Sequence, residues 1–567
     1  MTTLENPLVL GVDQGTSATK AILVDAAGEV VAHASAPLSR RHPEPGLVEQ
    51  DAEELWRSLL DAVAACLGNR DGAGRVVAVG LSVQRESVLL WDRATGAPVG
   101  PLVSWQDRRG TELCARLAAE GASSLVCRIS GLPLDPMFSA AKAAWLLGRH
   151  RGDLCLGTVD SWLLHRLGGG HVIEVGCASR TQLLDVRRRA WSPELLELFG
   201  VPEEALPRVV PSTGAHADAK ALHPALAGVP VSAVLGDSHA ALYAHAAGEP
   251  GRVKVTYGTG SSVMGLAPPG AAATQGAGQG AGQDADAGTG HGAGADAGQS
   301  VDAGAGHGAR AGAGAGPGAG QGAGAGAGQG AGAGAGQGAG AGAGEGLCLT
   351  IAWDDGTPAY ALEGNILSTG ATIAWLAGVL GVGADEVARL ATRGRRGRLQ
   401  IVPAFGGLGA PWWDDRAEAI MTGLGLDSRR EDMARAAVDS IGLQVGDVVS
   451  AFERAAGPVA ELLADGGPTA NGDLMQWQAD VTGHAVRVAW RPELSALGAA
   501  HLAGAASGVW SRRELSGLPR HGRRYTPVLP VCERRRALAE WHSAVARARH
   551  RTSRSGGAEA EASDRGS

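Results

Sequence analysis

Two short segments of this chain place glycines, hydroxyls and a carboxylate at the spacing of a phosphate-binding turn. Leu8 to Lys20 reads Leu-Val-Leu-Gly-Val-Asp-Gln-Gly-Thr-Ser-Ala-Thr-Lys; the apolar run reaches Asp13, passes Gly15-Thr16-Ser17 and re-enters a second apolar run, Ala21 to Val24. This is the pattern of a strand, a tight turn and a returning strand. Backbone N–H groups at such a tip converge on an anion. A carboxylate at the strand end holds a hydrated Mg²⁺ beside the phosphates. From these residues alone, an ordinary hairpin whose glycine supplies a positive φ is the alternative. Val253 to Met264 repeats the device around Gly258-Thr259-Gly260-Ser261-Ser262. One such hairpin in each half is what an internally duplicated phosphotransferase needs, with nucleotide phosphates lying between the two. A duplicated β-rich binding scaffold without catalysis is the competing account.

The elements that must hold these turns alternate between strands and helices. Val76 to Val83 reads as a buried strand with Gln84-Arg85-Glu86 at its end; Val229 to Leu235 reads as another, followed by Gly236-Asp237-Ser238-His239 and a helical stretch, Ala240 to Ala247. Open α/β sheets bind ligands at the carboxyl ends of their strands, which makes these polar residues site candidates. Asp51 to Leu67 has the signature of a capped amphipathic helix. Ile401 to Asp414 is a strand entering a Gly/Pro loop rich in aromatics, and Asp465-Gly466-Gly467 with Asn471 forms a further glycine turn before a helix.

At 567 residues the chain exceeds what one core supports and implies two large domains. A hydrophobic fraction of 44% is enough to fill those cores, and a net charge of −8 argues against a nucleic-acid partner. No apolar run reaches the roughly 18 to 20 residues that span a bilayer, and the N-terminus lacks a signal peptide's basic and apolar regions. Seven scattered cysteines without CxxC spacing indicate reduced thiols, hence a cytoplasmic location with neither a disulfide framework nor a zinc site. From about residue 270 to 346 the chain is almost entirely Gly and Ala; it lacks the large apolar side chains that would offset the entropy of ordering and reads as a flexible insertion. His291 and His307 within it are incidental rather than metal-binding.

A dozen pieces, collinear from about residue 8 to 510, resemble the FGGY carbohydrate kinases, and within them the glycerol kinases most. They include Asp13-Gln-Gly-Thr, Gln84-Arg-Glu-Ser, Trp105-Gln-Asp-Arg-Arg, Asp135-Pro-Met-Phe-Ser, Ala178-Ser-Arg-Thr, Gly236-Asp-Ser, Thr256-Tyr-Gly-Thr-Gly, Ala361-Leu-Glu-Gly, Pro403-Ala-Phe-Gly-Gly, Asp465-Gly-Gly and Ala496-Leu-Gly-Ala-Ala. The resemblance implies an α/β fold of two actin-like, ribonuclease-H-like ATPase domains flanking a catalytic cleft. The first would span 1–247 and the second 248–520, the latter interrupted at 270–346, with a basic 521–567 segment ending in a disordered tail. It implies ATP and Mg²⁺, a small polyol or sugar acceptor with glycerol leading, and no nucleic-acid or membrane partner; a homo-oligomer is left open.

By the same resemblance Asp237 is the general base, with a helix N-cap as its bland alternative. Asp13 positions Mg²⁺ through water. Thr16, Ser17 and Lys20 line the phosphate path, while Thr259, Gly370, Gly467 and Asn471 contact the nucleotide, the glycines by letting it approach a bare backbone. Arg85 and Glu86 hold adjacent acceptor hydroxyls, with a surface ion pair as the alternative, and Trp105 walls the carbon chain. Three acceptor positions depart from glycerol kinases: Met137 replaces Tyr, Ser238 replaces Gln and Ser262 replaces Phe. Weaker hydrogen bonding to the acceptor, together with the space that smaller side chains open, suggests a larger polyol or ketose, of the erythritol, xylulose or ribulose type. A non-catalytic sugar or nucleotide sensor on the same scaffold is the reading from another class; retention of both loops and both aspartates weighs against it.

Overall fold

A computed structural model describes residues 6–550 apart from 69–72, 247–250, 272–345, 490, 492 and 519–521. The insertion, with His291 and His307, and the tail after residue 550 lie outside the described residues.

The first sheet is built from β1 (Leu8–Gln14), β2 (Ala18–Asp25) and β3 (Val30–Pro37), joined by β4 (Val76–Val83) and β5 (Val231–Gly236), in the order β5-β4-β1-β2-β3. The hairpin β1–β2 and its neighbour β3 are antiparallel, whereas β4 and β5 run parallel to β1. Strands buried on both faces read as unbroken apolar runs, which is why Leu8–Val12 and Val76–Val83 stand out in the sequence. Helix α1 (Ala52–Leu67) is capped by Asp51, whose side chain accepts from the N–H groups of Glu53 and Glu54, and its Leu55, Leu59 and Val63 enter the core beneath this sheet. A separate four-stranded antiparallel sheet uses Glu49–Gln50, Pro98–Val103, Val88–Asp92 and Leu154–Thr158.

After α2 (Asp237–Ala246) the pattern recurs. Strands β6 (Arg252–Tyr257), β7 (Ser261–Leu266), β8 (Cys348–Asp354), β9 (Pro358–Ile366), β10 (Glu461–Asp465), β11 (Val486–Val488) and β12 (Arg524–Tyr525) form one sheet in the order β8-β9-β7-β6-β10-β11-β12. Its five middle strands, β9-β7-β6-β10-β11, repeat the order of the first sheet, with β10 parallel to β6 and β11 parallel to β10. Helices α3 (Gly370–Leu380), α4 (Arg430–Ala456) and α5 (Gly472–Thr482) serve this half. The duplication expected from two glycine hairpins is therefore a duplication of the whole sheet.

Helix α6 (Leu494–Ala506), although late in the chain, presses on the first sheet. Glycine permits this approach: a Cβ on Gly11 would lie 2.2 Å from the Ala496 carbonyl oxygen, and one on Gly80 would lie 2.0 Å from that of Ala499. Helices α2 and α6 share a core with both sheets, joining Val9, Ile22 and Leu235 to Met264 and Trp353 through Ala240, Tyr243 and Leu497. The chain beyond residue 520 adds α7 (Val531–Arg549), seated through Trp541, Ala544, Val545 and Ala548 against Val402, Leu443 and Trp477. Among the described residues no single helix is long and apolar enough to cross a membrane.

Candidate active site

The β1–β2 hairpin closes with a hydrogen bond from Gly15 N–H to the Ala18 carbonyl, 3.1 Å, and sets Asp13 opposite Lys20. Asp13 Oδ1 accepts from the Ser82 hydroxyl at 2.8 Å. Burial, and then the nearby Asp237 charge, push its carboxyl up to about 6 against the opposing effects of Ser82 and Lys20. Thr16 is fastened from two sides: the Trp105 indole N–H donates to its hydroxyl at 3.1 Å, and Gln50 donates to its carbonyl at 3.0 Å. Ser17 is exposed at the tip.

The second turn is braced by the start of α3. Gly370 N–H donates to the Gly258 carbonyl at 3.0 Å, and the N–H groups of Thr369 and Ala371 donate to that of Thr259 at 2.9 and 3.0 Å. A Cβ on Gly370 would come within 2.5 Å of the Gly258 oxygen, so only glycine fits. Thr259 itself is exposed. At the third turn the sterically obligatory glycine is Gly466, with φ +98° and a Cβ position 2.0 Å from the Tyr257 oxygen; a Cβ on Gly467 meets nothing within 4 Å. Asn471 caps α5, its side-chain oxygen accepting from the N–H groups of Asp473 and Leu474 at 3.1 and 3.2 Å.

On the acceptor side, β4 delivers Arg85 and Glu86 and β5 delivers Asp237, which opens α2. Asp237 Oδ1 accepts from Ser238 N–H at 2.6 Å and lies 3.2 Å from Arg85 Nε. Burial raises the Asp237 carboxyl above the ordinary aspartate range; Glu86 adds to this while Arg85, Lys254 and the Ser238 N–H oppose it. Glu86 takes φ +61°, a backbone conformation that costs a non-glycine residue about 1–3 kcal/mol and clusters at functional sites. Trp105 and Trp413 pack on a small core of Leu132, Met137, Phe138 and Cys348. The Ser262 hydroxyl donates to Glu363 at 2.8 Å.

Asp13, Thr16, Ser17, Lys20, Thr259 and Ser262 thus fall on the two hairpins, Gly467 and Asn471 at the third turn, and Arg85, Glu86, Asp237 and Ser238 at strand ends of the first sheet; Gly370 opens α3, whereas Trp105 and Met137 come from the segments between the four-stranded sheet and its helices. One expectation changes in detail. Ser262 does not simply open space, because its hydroxyl is committed to a buried carboxylate. Protein packing requires a bare backbone at Gly466, while the open surroundings of Gly467 leave room for a ligand to approach it.

Sequence reasoning assigned no role to several residues that the fold brings here. Glu363, fully buried on β9, receives both terminal nitrogens of Arg85 at 3.0 and 2.7 Å. Arg180, also fully buried, donates to Glu86 at 2.6 Å and lies 2.9 Å from Glu363. Lys142 donates to the carbonyls of Met137 and, at 3.2 Å, Pro136; burial pushes its ammonium down to about 8. The signal was present as single charges among uncharged residues, Ala178-Ser-Arg-Thr and Ala361-Leu-Glu-Gly, since isolated charges are buried only when paired.

Mg²⁺ takes hard oxygen ligands, keeps several waters and needs only one or two protein carboxylates beside substrate phosphates. The Asp237 charge near Asp13 favours a cation beside them, and no group of three or more His, Cys, Asp or Glu able to hold a metal occurs among the described residues. This donor set fits a largely hydrated magnesium carried with a nucleotide.

Comparison with known proteins identifies the family. Residues 8–244 match the N-terminal domain, and residues 340–507 the C-terminal domain, of the FGGY family of carbohydrate kinases. An apulose kinase from Pectobacterium atrosepticum is 36% identical over 561 residues, covering 96% of this chain and 99% of that protein. A glycerol kinase from Rhodospirillum centenum is 36% identical over 563 residues, with the same coverage of 96% and 99%. The crystal structure of Plasmodium falciparum glycerol kinase with ADP superposes with a TM-score of 0.76 at 23% identity, over 96% of this chain and 99% of that one, a likeness of fold.

Proposed function

From the premise that this chain belongs to the FGGY family of carbohydrate kinases, ATP-dependent enzymes that work with Mg²⁺, we propose that it phosphorylates a polyol or ketose larger than glycerol. The observation that carries this reading is the acceptor wall. Arg85 and Glu86 supply one donor and one acceptor for adjacent hydroxyls, but Met137, packed beside Trp105 and Trp413, offers an apolar surface with no hydrogen bond to give. Glycerol, with only three carbons, relies on every polar contact; a longer chain gains from apolar area instead.

Asp237 takes the proton of the attacking hydroxyl. An alcohol is a weak nucleophile near neutral pH, and a carboxylate raised above its usual range is a better-matched base than an ordinary aspartate. Mg²⁺, held through Asp13, offsets phosphate charge when bound. The N–H groups of Gly15 and Gly258 close their own turns, at 3.1 and 2.8 Å, so the phosphates are met by the next N–H groups along each tip, from Thr16, Ser17 and Thr259, with Lys20 beside them. The Trp105–Thr16 hydrogen bond joins the acceptor wall to the first of these tips, so donor and acceptor are oriented by one rigid unit.

Steady-state turnover by the purified chain, with ATP and glycerol, erythritol, ribulose, xylulose or apulose, tests the reading. A four- or five-carbon acceptor should exceed glycerol in kcat/KM by about tenfold, the scale of a few pocket contacts. A clear glycerol optimum with low KM returns the assignment to glycerol, the reading that Gln84-Arg85-Glu86 favours.

A further inference from the structure

Glu363 lies in the interior of the second sheet, paired with Met264 on β7 and Cys348 on β8, yet its charged partners come from the first half of the chain. Arg85 gives it a two-pronged contact, Arg180 lies 2.9 Å away, and the Ser262 hydroxyl completes the set. We propose that Glu363 is a positioning residue for phosphoryl transfer: it holds the Arg85 fork away from Asp237, so that the base stays available and Arg85 stays aimed at the acceptor. The two clauses rest on the proposed roles of Asp237 and Arg85 in turn.

Carboxylates compete for Arg85. A guanidinium seeks a two-pronged carboxylate partner. Arg85 has three carboxylates within reach: Glu363 at 2.7 Å, Asp237 at 3.2 Å and Glu86 at 3.9 Å. Only Glu363 takes both terminal nitrogens, leaving Nε for Asp237. Without Glu363, the fork would turn onto Asp237 and occupy the lone pairs that must receive a proton. Arg180 fixes the direction of Glu363 and, through Nε, of Glu86. Burial alone would raise the Glu363 carboxyl; Arg180 and Arg85 overcome it and hold the group well below the usual carboxylate range. Glu363 is therefore an anion throughout the working pH range.

Three variants of the full chain test this: Glu363→Gln, Glu363→Asp and Arg85→Lys. Glu363→Asp keeps the charge, and with it the balance that a buried arginine pair needs to fold, but withdraws the carboxylate by one methylene. Both Glu363 variants should lower acceptor kcat/KM by about 100-fold, the scale of an ångström-sized misplacement of a positioned group. Acceptor KM should rise, while ATP KM stays within about twofold, a split that loss of folded protein cannot produce. Acceptor constants within about twofold of the parent in folded Glu363→Asp overturn the inference. If Arg85→Lys raises acceptor KM and the Glu363 variants do not, the inference alone fails. If Arg85→Lys leaves acceptor KM unchanged, the reading of Arg85 as an acceptor ligand fails and the inference falls with it.

Discussion

Asp237 lets a single side chain be tested for its chemistry apart from its place in the fold. It opens α2, and its Oδ1 accepts the next residue's N–H, a contact an asparagine oxygen can reproduce. Asp237→Asn should therefore fold and bind nucleotide within about twofold of the parent, yet lose about 10²- to 10⁴-fold in kcat, the range for a general base. Near-normal turnover in that variant would remove Asp237 from the base role. Because burial raises this carboxyl, protonation as the pH falls should switch transfer off above the ordinary aspartate range, and a pH profile of kcat/KM should show that acid limb. Met137 reports on selectivity. Met137→Tyr restores a hydroxyl to the wall beside Trp105 and should shift the ratio of glycerol to five-carbon kcat/KM towards glycerol by about tenfold, measured as paired progress curves. The two aspartates and the acceptor pair were legible in the sequence because each follows an apolar strand. The Glu363–Arg180 pair was not, because a lone charge inside a strand pattern does not name its partner, and these two lie 183 residues apart (363 − 180).

Whole elements show the same contrast. Strand β4 occupies Val76–Val83 as its apolar run indicates, and α1 begins behind Asp51 as its capping pattern indicates. Helix α2 starts at Asp237, three residues before the apolar stretch from Ala240, because the strand end feeds straight into it. Helix α7 was concealed by its arginines. Its buried Trp541, Ala544, Val545 and Ala548 keep the spacing of one helical face, but alanines carry a weak apolar signal. Trp541 is fully buried, and its indole N–H donates to Asp447 at 2.7 Å. Trp541→Ala should cost about 3–5 kcal/mol, read as a lowered denaturation midpoint. Next to it, His542 contacts the same aspartate at 2.7 Å, a hydrogen bond that raises its pKa. The resulting stability is complete below the unfolded histidine value and disappears as the pH climbs past the folded one. Half of this side chain is solvent-exposed, so screening limits the effect to about 0.5 kcal/mol. His542→Gln should lower the melting temperature at about pH 5.5 and leave it unchanged at about pH 8.5; an equal loss at both would point to packing instead.

At the scale of the molecule, the duplicated sheet order follows from residue patterns, whereas the way the two sheets are joined does not. The composition of Leu494–Ala506 makes α6 apolar all round but cannot say that it crosses to the first sheet. The clue is the run Ala496-Leu-Gly-Ala-Ala, whose small residues allow backbone-to-backbone approach. Gly498 is the tightest of these approaches: a Cβ there would lie 1.8 Å from the Ala240 carbonyl oxygen and 2.5 Å from its carbon. Neither atom can swing aside as a side-chain end would, so a methyl group must move one helix relative to the other. Ala240 stands one turn after Asp237 on α2, and displacing α2 changes how the base meets Arg85 and Asp13. Gly498→Ala should therefore destabilise the protein by about 1–3 kcal/mol through overpacking. It should also lower kcat by about tenfold or more while acceptor KM changes little, because Arg85 and Glu86 hang from β4 and keep their places. Gly508→Ala provides the comparison: that glycine has φ +77° and a Cβ position with nothing within 4 Å, so it too should lose stability, by backbone strain, but without a change in kcat. Thermal melts and initial rates on the two variants separate a contact that sets the geometry between sheets from a general loss of folding, and equal kcat losses in both would show that Gly498 acts through stability alone.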